Sequence, residues 1–395
     1  MAHKTSTSRI LPLPENATHI CNPFRVMLSW SNRLVNKYPG LIRGFVFIFL
    51  FFLMFGCNNR ESWDESYARG QMLYRQNRYQ EALRHASVSL NAARHFEDVD
   101  HYRILQSLYL LASINDQLQK HETADHFYTR CLSTIRDQDQ ADIQQTYTIY
   151  RDYSHFLHRL NDIRGALAIN SELLEYLKTH GHPNQITPEK LGQLYFDQAV
   201  YYTAYEKYES ALIYIQWAVR ILENHYGSTS PRLVDPLYLL STVYYHLGNY
   251  HLGRQTAELG LAIAGNRHDV SKQKEARLLM IAARNMRGQK AVLTARNYYE
   301  AALNLLDPST GVYTPELEKI YSGLSELSLI LNEPLKAVSY QILAANTSEA
   351  LWGKTHSNTL RQLVKLSDIY RHTGDEEKAL RIEYEVRQRI SSLIN

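Results

Sequence analysis

Few residues in this 395-residue chain are spaced to do covalent chemistry. His155 and His158 stand three apart, which puts two imidazoles on one helix face and could supply two metal ligands. No recognised ligand motif completes that set, and the plainer reading is a polar helix face. His180-Gly181-His182 reads as a solvated loop pair. The cysteines are Cys21, Cys57 and Cys131, too few for a disulfide framework. There is no G-x-x-x-x-G-K-S/T loop, no H-E-x-x-H, no C-x-x-C and no G-x-S-x-G. The expectation is therefore a protein without catalytic residues, cofactor, metal or small-molecule substrate.

Cys57 is the exception. It ends an apolar run, Phe45 to Asn59 reading FVFIFLFFLMFGCNN, with Arg43 before the run and Arg60 after it. A membrane helix needs roughly 20 apolar residues. This run is shorter and has the length of a signal-peptide core behind a basic segment. Leu53-Met54-Phe55-Gly56-Cys57 resembles the lipobox of bacterial lipoproteins. That resemblance implies acylation of the Cys57 thiol, cleavage before it, and a bacterial envelope location. Asn59 would then direct the protein to the periplasmic face of the outer membrane in a Gram-negative cell. Residues 1–56 are read as leader, with Met27 the better start and 1–26 preceding it, and 57–62 as a lipidated tether. The competing expectation is an uncleaved single-pass anchor, starting near Tyr38, in the inner membrane.

The formal net charge is +3, but residues 1–56 carry six basic side chains and one acidic. The remaining body holds 37 basic and 39 acidic residues, so bulk charge gives no case for nucleic-acid binding. Only 11 prolines and 17 glycines occur, which favours helices, while 29 tyrosines are unusual.

The elements that must position any site repeat. Small residues recur at Ala82, Ala124, Ala166, Ala211, Gly253, Ala295, Ala337 and Ala379, spaced by 42 except for one step of 45. Twelve residues before each anchor stand Gly70, Ala112, Ser154, Ala199, Ser241, Ala283, Ser325 and Ser367, again all small. Sixteen before, seven of eight are large. Eight after, the column is apolar until Arg387, and with Glu383 this reads as a final repeat with a solvated face. The 45-residue step falls at THGHPNQITPEK, 179–190, read as an insertion in a longer loop, with a hinge between repeats 1–3 and 4–8 as the alternative. Cys131 fills a small core position.

NRYQEALRHA at 77–86 resembles the turn and second-helix start of a tetratricopeptide repeat. The 42-residue period is similar to the repeats of kinesin light chains, as are HYGSTSPRLVDPLYLLSTVYYHLGNY and LWGKTHSNTLRQLVKLSDIY. The resemblance covers residues 63–395. It implies an all-α, right-handed superhelical solenoid of about eight stacked helix-turn-helix repeats. Its first helices line a groove at positions 15, 11, 8 and 7 before each anchor. Those offsets give Arg151, His155, His158 and Arg159 in repeat 3, and Phe196 in repeat 4. Repeat 5 supplies Tyr238, Tyr245 and His246, and repeat 6 supplies Arg284 and Arg287. Arginine pairs carboxylates and tyrosine gives contact area, so the implied partner is an extended, acidic protein segment. The implied function is a scaffold or assembly factor of the envelope. The alternative is a regulator or secretion adaptor held by the uncleaved anchor.

Overall fold

The computed structural model describes residues 62–94, 101–138, 141–180, 186–265 and 270–393. The leader 1–56, Cys57 and most of the tether, with residues 181–185 of the longer loop, lie outside the described residues. Every regular element among the described residues is helical. The α-helices run in eight consecutive hairpins. The first four are α1 Trp63–Arg75 and α2 Tyr79–Ala93, α3 His101–Gln117 and α4 His121–Arg136, α5 Ile143–Arg159 and α6 Ile163–His180, and α7 Pro188–Ala204 and α8 Tyr208–Tyr226. The rest are α9 Val234–His246 and α10 Tyr250–Gly265, α11 Lys272–Gly288 and α12 Val292–Leu306, α13 Pro315–Ile330 and α14 Pro334–Trp352, and α15 Ser357–His372 and α16 Glu376–Ser391. The fold is an all-α stack of helical hairpins.

Most first helices are started locally, and all eight are stopped locally. Side chains of Ser62, Asp142, Thr187, Ser271 and Thr314 cap the free amides at the starts of α1, α5, α7, α11 and α13. At the stops, the residue five before every anchor has a left-handed backbone. These are Asn77, Gln119, Asn161, Glu206, Gly248, Lys290, Asn332 and Gly374, with φ between 57° and 82°. The next amide then reaches back five residues to the helix carbonyls, as in Arg78 N to Leu73 O and Asp375 N to Tyr370 O, at 2.8–2.9 Å in all eight hairpins. This is the Schellman ending, which satisfies carbonyls the helix leaves open and turns the chain sharply.

The chain divides into two compact units, Met1–Leu110 and Leu111–Asn395. In the first, α1 packs on α2, and the Trp63 indole donates to Ser107 Oγ at 2.9 Å. A Cβ on Gly70 would meet Ala86 N at 3.3 Å, so α1 and α2 approach closely at that point. In the second unit the anchors Ala124, Ala166, Ala211, Ala295, Ala337 and Ala379 are all fully buried. The column twelve before them does more than stay small. Ser241 Oγ donates to Gly253 O at 2.7 Å, Ser325 Oγ to Ala337 O at 2.7 Å, and Ser367 Oγ to Ala379 O at 3.2 Å. The hydroxyl therefore ties the first helix to the anchor peptide of the second. On α16, Arg387 is exposed and Glu383 is held by Arg371, but Leu380 and Tyr384 are exposed too. The face of that helix is mixed rather than polar. Cys131 is buried, and burial pushes its thiol pKa up.

Candidate functional site

The residues assigned to a groove lie on α5, α7, α9 and α11. Their side chains connect from one first helix to the next. Arg159 Nη2 lies 2.6 Å from Asp116 Oδ2 on α3. Arg151 Nε lies 2.8 Å from Asp197 Oδ2 on α7, and Arg287 of α11 pairs with Glu326 of α13. Lys365 Nζ of α15 completes that node, 3.1 Å from Glu326 Oε1 and 3.0 Å from Ser322 Oγ. The first helices of successive repeats therefore stand side by side and share one face.

In repeat 3 that face is neutralised from within. Asp197 is almost fully buried and accepts from Arg151, from His155 Nε2 at 3.0 Å and from Gln193 Nε2 at 2.9 Å. Burial pushes its carboxyl pKa up, but the hydrogen bond from His155 and the charge of Arg151 outweigh that and hold it below the usual range. His158 tilts against the Tyr201 ring at 5.0 Å, and burial followed by the charge of His155 lowers its pKa. The row Arg151, His155 and Arg159 is thus not the free basic surface expected from sequence. The carboxylates of Asp197 and Asp116 already occupy it. Phe196 departs from expectation as well, because it packs against the cluster of Ala199, Ile215, Ala218, Leu239 and Leu240. Tyr238 packs partly into the core, with the Arg277 guanidinium 4.4 Å over its ring.

Repeats 5 and 6 are different. Tyr245 and His246 end α9, and Arg284 and Arg287 end α11. The Arg284 guanidinium lies 4.3 Å over the Tyr245 ring, and Arg287 Nη2 donates to the Tyr245 hydroxyl at 3.3 Å. Burial raises the Tyr245 pKa, but the Arg287 hydrogen bond and the Arg284 and Arg287 charges more than offset it, and the phenol falls below its ordinary value. His246 is exposed and stacks flat on Tyr208, 4.4 Å apart at 3°. That stack covers part of its ring, and its pKa is lowered, by desolvation first and then by Arg284. The structure thus brings together Tyr245, His246, Arg284 and Arg287, with Tyr208 as a fifth member that the groove offsets do not reach. The signal for Tyr208 is its place beside the turn, three residues before the anchor Ala211. Among the described residues no cluster of three His, Cys, Asp or Glu could hold a metal, and no helix is long and apolar enough to cross a membrane.

A model of the tetratricopeptide repeat matches residues 105–138, which spans most of α3 and all of α4. A tetratricopeptide repeat protein from Parabacteroides merdae has a similar solved structure, with a TM-score of 0.51 and 14% identity over 72% of this chain and 93% of that one. The fold is a tetratricopeptide-repeat fold. The apo form of RapI is similar to it as well, with a TM-score of 0.54 and 13% identity over 73% of this chain and 99% of that one. The quorum sensor NprR from B. thuringiensis shares the fold too, at a TM-score of 0.50 and 10% identity, covering 82% of this chain and 97% of that one. No curated protein sequence matches the chain. At these identities the tetratricopeptide-repeat likeness concerns architecture alone.

Proposed function

We propose that the protein is a non-enzymatic scaffold that holds an extended, acidic segment of a protein partner along its first helices. In this reading Cys57 is lipidated and tethers the protein in a bacterial envelope. The observation that supports binding is the ladder of contacts between neighbouring first helices, Arg159 to Asp116, Arg151 to Asp197, and Arg287 and Lys365 to Glu326. It joins side chains of α3, α5 and α7, and of α11, α13 and α15, into two stretches of surface, and that surface carries Arg and Tyr, the residue types that dominate interface energetics. Tetratricopeptide-repeat architecture supports a protein partner and names none.

A photo-crosslinking residue placed at His246 should capture the partner in the native host. The same residue at Ser339, exposed on the second helix of repeat 7, should not. Capture at Ser339 alone would place the partner on the other helices and end the groove reading. Palmitate labelling tests the tether, since label that persists in Cys57→Ala removes the lipoprotein reading.

A second reading is a regulator or secretion adaptor held by an uncleaved anchor. The quorum sensor NprR shows that this architecture serves a regulatory role in another protein. Retention of the apolar run in the mature protein, read by mass spectrometry, would select it.

A further inference from the structure

We propose that α16 is a two-fold contact between copies of this chain, in which a second α16 lies antiparallel across it. The inference makes no use of the groove on the first helices and stands or falls separately from that reading. It starts from what the second helices do in earlier repeats. The residues two before, one after, five after and eight after each anchor form one stripe, spaced three, four and three apart. That stripe faces the next hairpin's first helix. Arg164 Nε donates to the Tyr205 hydroxyl, at the end of α7, at 3.0 Å. Asp125 Oδ1 accepts from the Tyr153 hydroxyl of α5 at 2.8 Å, and Leu212 packs with Leu239 and Leu240 of α9. Ser171 Oγ accepts from Gln198 Nε2 of α7 at 2.9 Å, and Val219 packs with Val234 and Leu237 of α9.

On α16 the same four positions hold Glu377, Leu380, Tyr384 and Arg387, and all four are exposed. Leu380 is 54% exposed and Tyr384 64%. A stacking face therefore meets solvent with two large apolar side chains at its centre, where a soluble array carries polar ones. The charges select the occupant. An antiparallel two-fold centred between Leu380 and Tyr384 sets Leu380 on the partner's Tyr384 and Glu377 on the partner's Arg387, each contact made twice. A parallel pair would instead set like charge on like. The stripe also has the spacing of a coiled-coil seam. The other charges of the helix do not oppose the pairing. α16 carries four acidic and four basic side chains. Arg381 lies 3.3 Å from Glu377, which would then serve two arginines, and Glu383, the carboxylate Arg387 acts on in its own chain, is already held by Arg371. One helix pair is a small contact beside the roughly 1,200–2,000 Å² of a stable interface, so the dimer is weak and depends on concentration.

The test follows the full-length chain by sedimentation velocity over a concentration series, in a mild detergent that keeps its apolar N-terminal run dispersed. Wild type should pass from monomer to dimer. Leu380→Glu should abolish the dimer, and Glu377→Arg and Arg387→Glu should each weaken it about tenfold, all with helical circular dichroism unchanged. Mixed together, the two charge variants should dimerise as tightly as wild type, because each supplies the sign the other lacks. A mixture no tighter than its separate components overturns the antiparallel pairing. A wild type that stays monomeric, or a dimer that Leu380→Glu leaves intact, overturns the contact altogether. A photo-crosslinking residue at Tyr384 in the native host should give a species of twice the chain's mass. A crosslink to a different protein alone would mean that another occupant covers α16, and the second copy would be excluded.

Discussion

Gly253 is the anchor at which the repeat departs from alanine, and the reason sits on another helix. A Cβ built there would lie 2.1 Å from Asn285 Oδ1 and 2.6 Å from Asn285 Cγ. Asn285 cannot step aside easily, because it is fully buried and its Nδ2 donates to Ser241 Oγ at 3.2 Å and to Ile281 O at 2.9 Å. Gly253→Ala should therefore cost about 1–3 kcal/mol, the usual range for overpacking a core. Adding Asn285→Ala should restore part of that loss, so urea unfolding of the four-member cycle should give a favourable coupling; additive effects would contradict the contact. The sequence showed that the position had to be small but not why it had to be glycine, since Asn285 belongs to the next repeat's first helix. Asp197 was illegible for the same kind of reason. Its carboxylate reaches back to α5, and no spacing rule tells which acid will do so. Its folded pKa lies below the ordinary value, so its contribution is complete above an unfolded pKa of about 3.9 and is lost as pH falls through the lower folded value. Asp197→Asn should cost about 1–3 kcal/mol at neutral pH, because Arg151 and His155 lose a buried acceptor charge. The variant should also lack this step in stability below pH ~4, as followed by unfolding at several pH values.

At the scale of the helix the recurring device is the left-handed residue five before each anchor. Asparagine or glycine, the types that tolerate it, stand there at Asn77, Asn161, Gly248, Asn332 and Gly374. Gln119, Glu206 and Lys290 adopt the same conformation without that tolerance, with φ of 57°, 58° and 64°. The column is visible in five repeats and hidden in three, because tertiary packing of the hairpin forces the turn whatever residue occupies it. A left-handed L-residue costs roughly 1–2 kcal/mol. Glycine removes that cost but adds unfolded-state entropy, so Lys290→Gly should gain up to about 1 kcal/mol. Gly248→Ala should lose about 1 kcal/mol by the same reasoning. In a unit of this size the two changes should move the melting temperature by roughly 2–4 °C in opposite directions. A Lys290→Gly melt below wild type would show that the lysine side chain contributes something the turn geometry does not explain.

The whole chain was legible to the extent that it is periodic. Small anchors at a fixed spacing announce close helix crossings wherever they fall, and the hairpins follow without knowledge of any particular contact. Contacts between particular side chains are aperiodic, and that is why the candidate site was less legible than the fold. The offsets place Tyr245, His246, Arg284 and Arg287 in one row with the rest, but could not tell that Asp197, Asp116 and Glu326 pair with Arg151, Arg159 and Arg287. The same periodicity sets how a lesion spreads. In an array of stacked hairpins each repeat is stabilised by its own packing and by its immediate neighbours. Gly253 touches Asn285 and Ser241, so Gly253→Ala loosens α9 and α10 together with α11 and α12. Hydrogen exchange followed by mass spectrometry should show protection falling most in those four helices. It should fall less in α7 and α13, and stay near wild type in α5 and α16. Those outer helices are held by contacts such as Arg151 to Asp197 and Arg389 Nη1 to Glu349 Oε2 at 2.8 Å, which the substitution leaves intact. Equal loss of protection from α5 through α16 would mean that the second unit opens as one body, and stability would then not be assignable repeat by repeat.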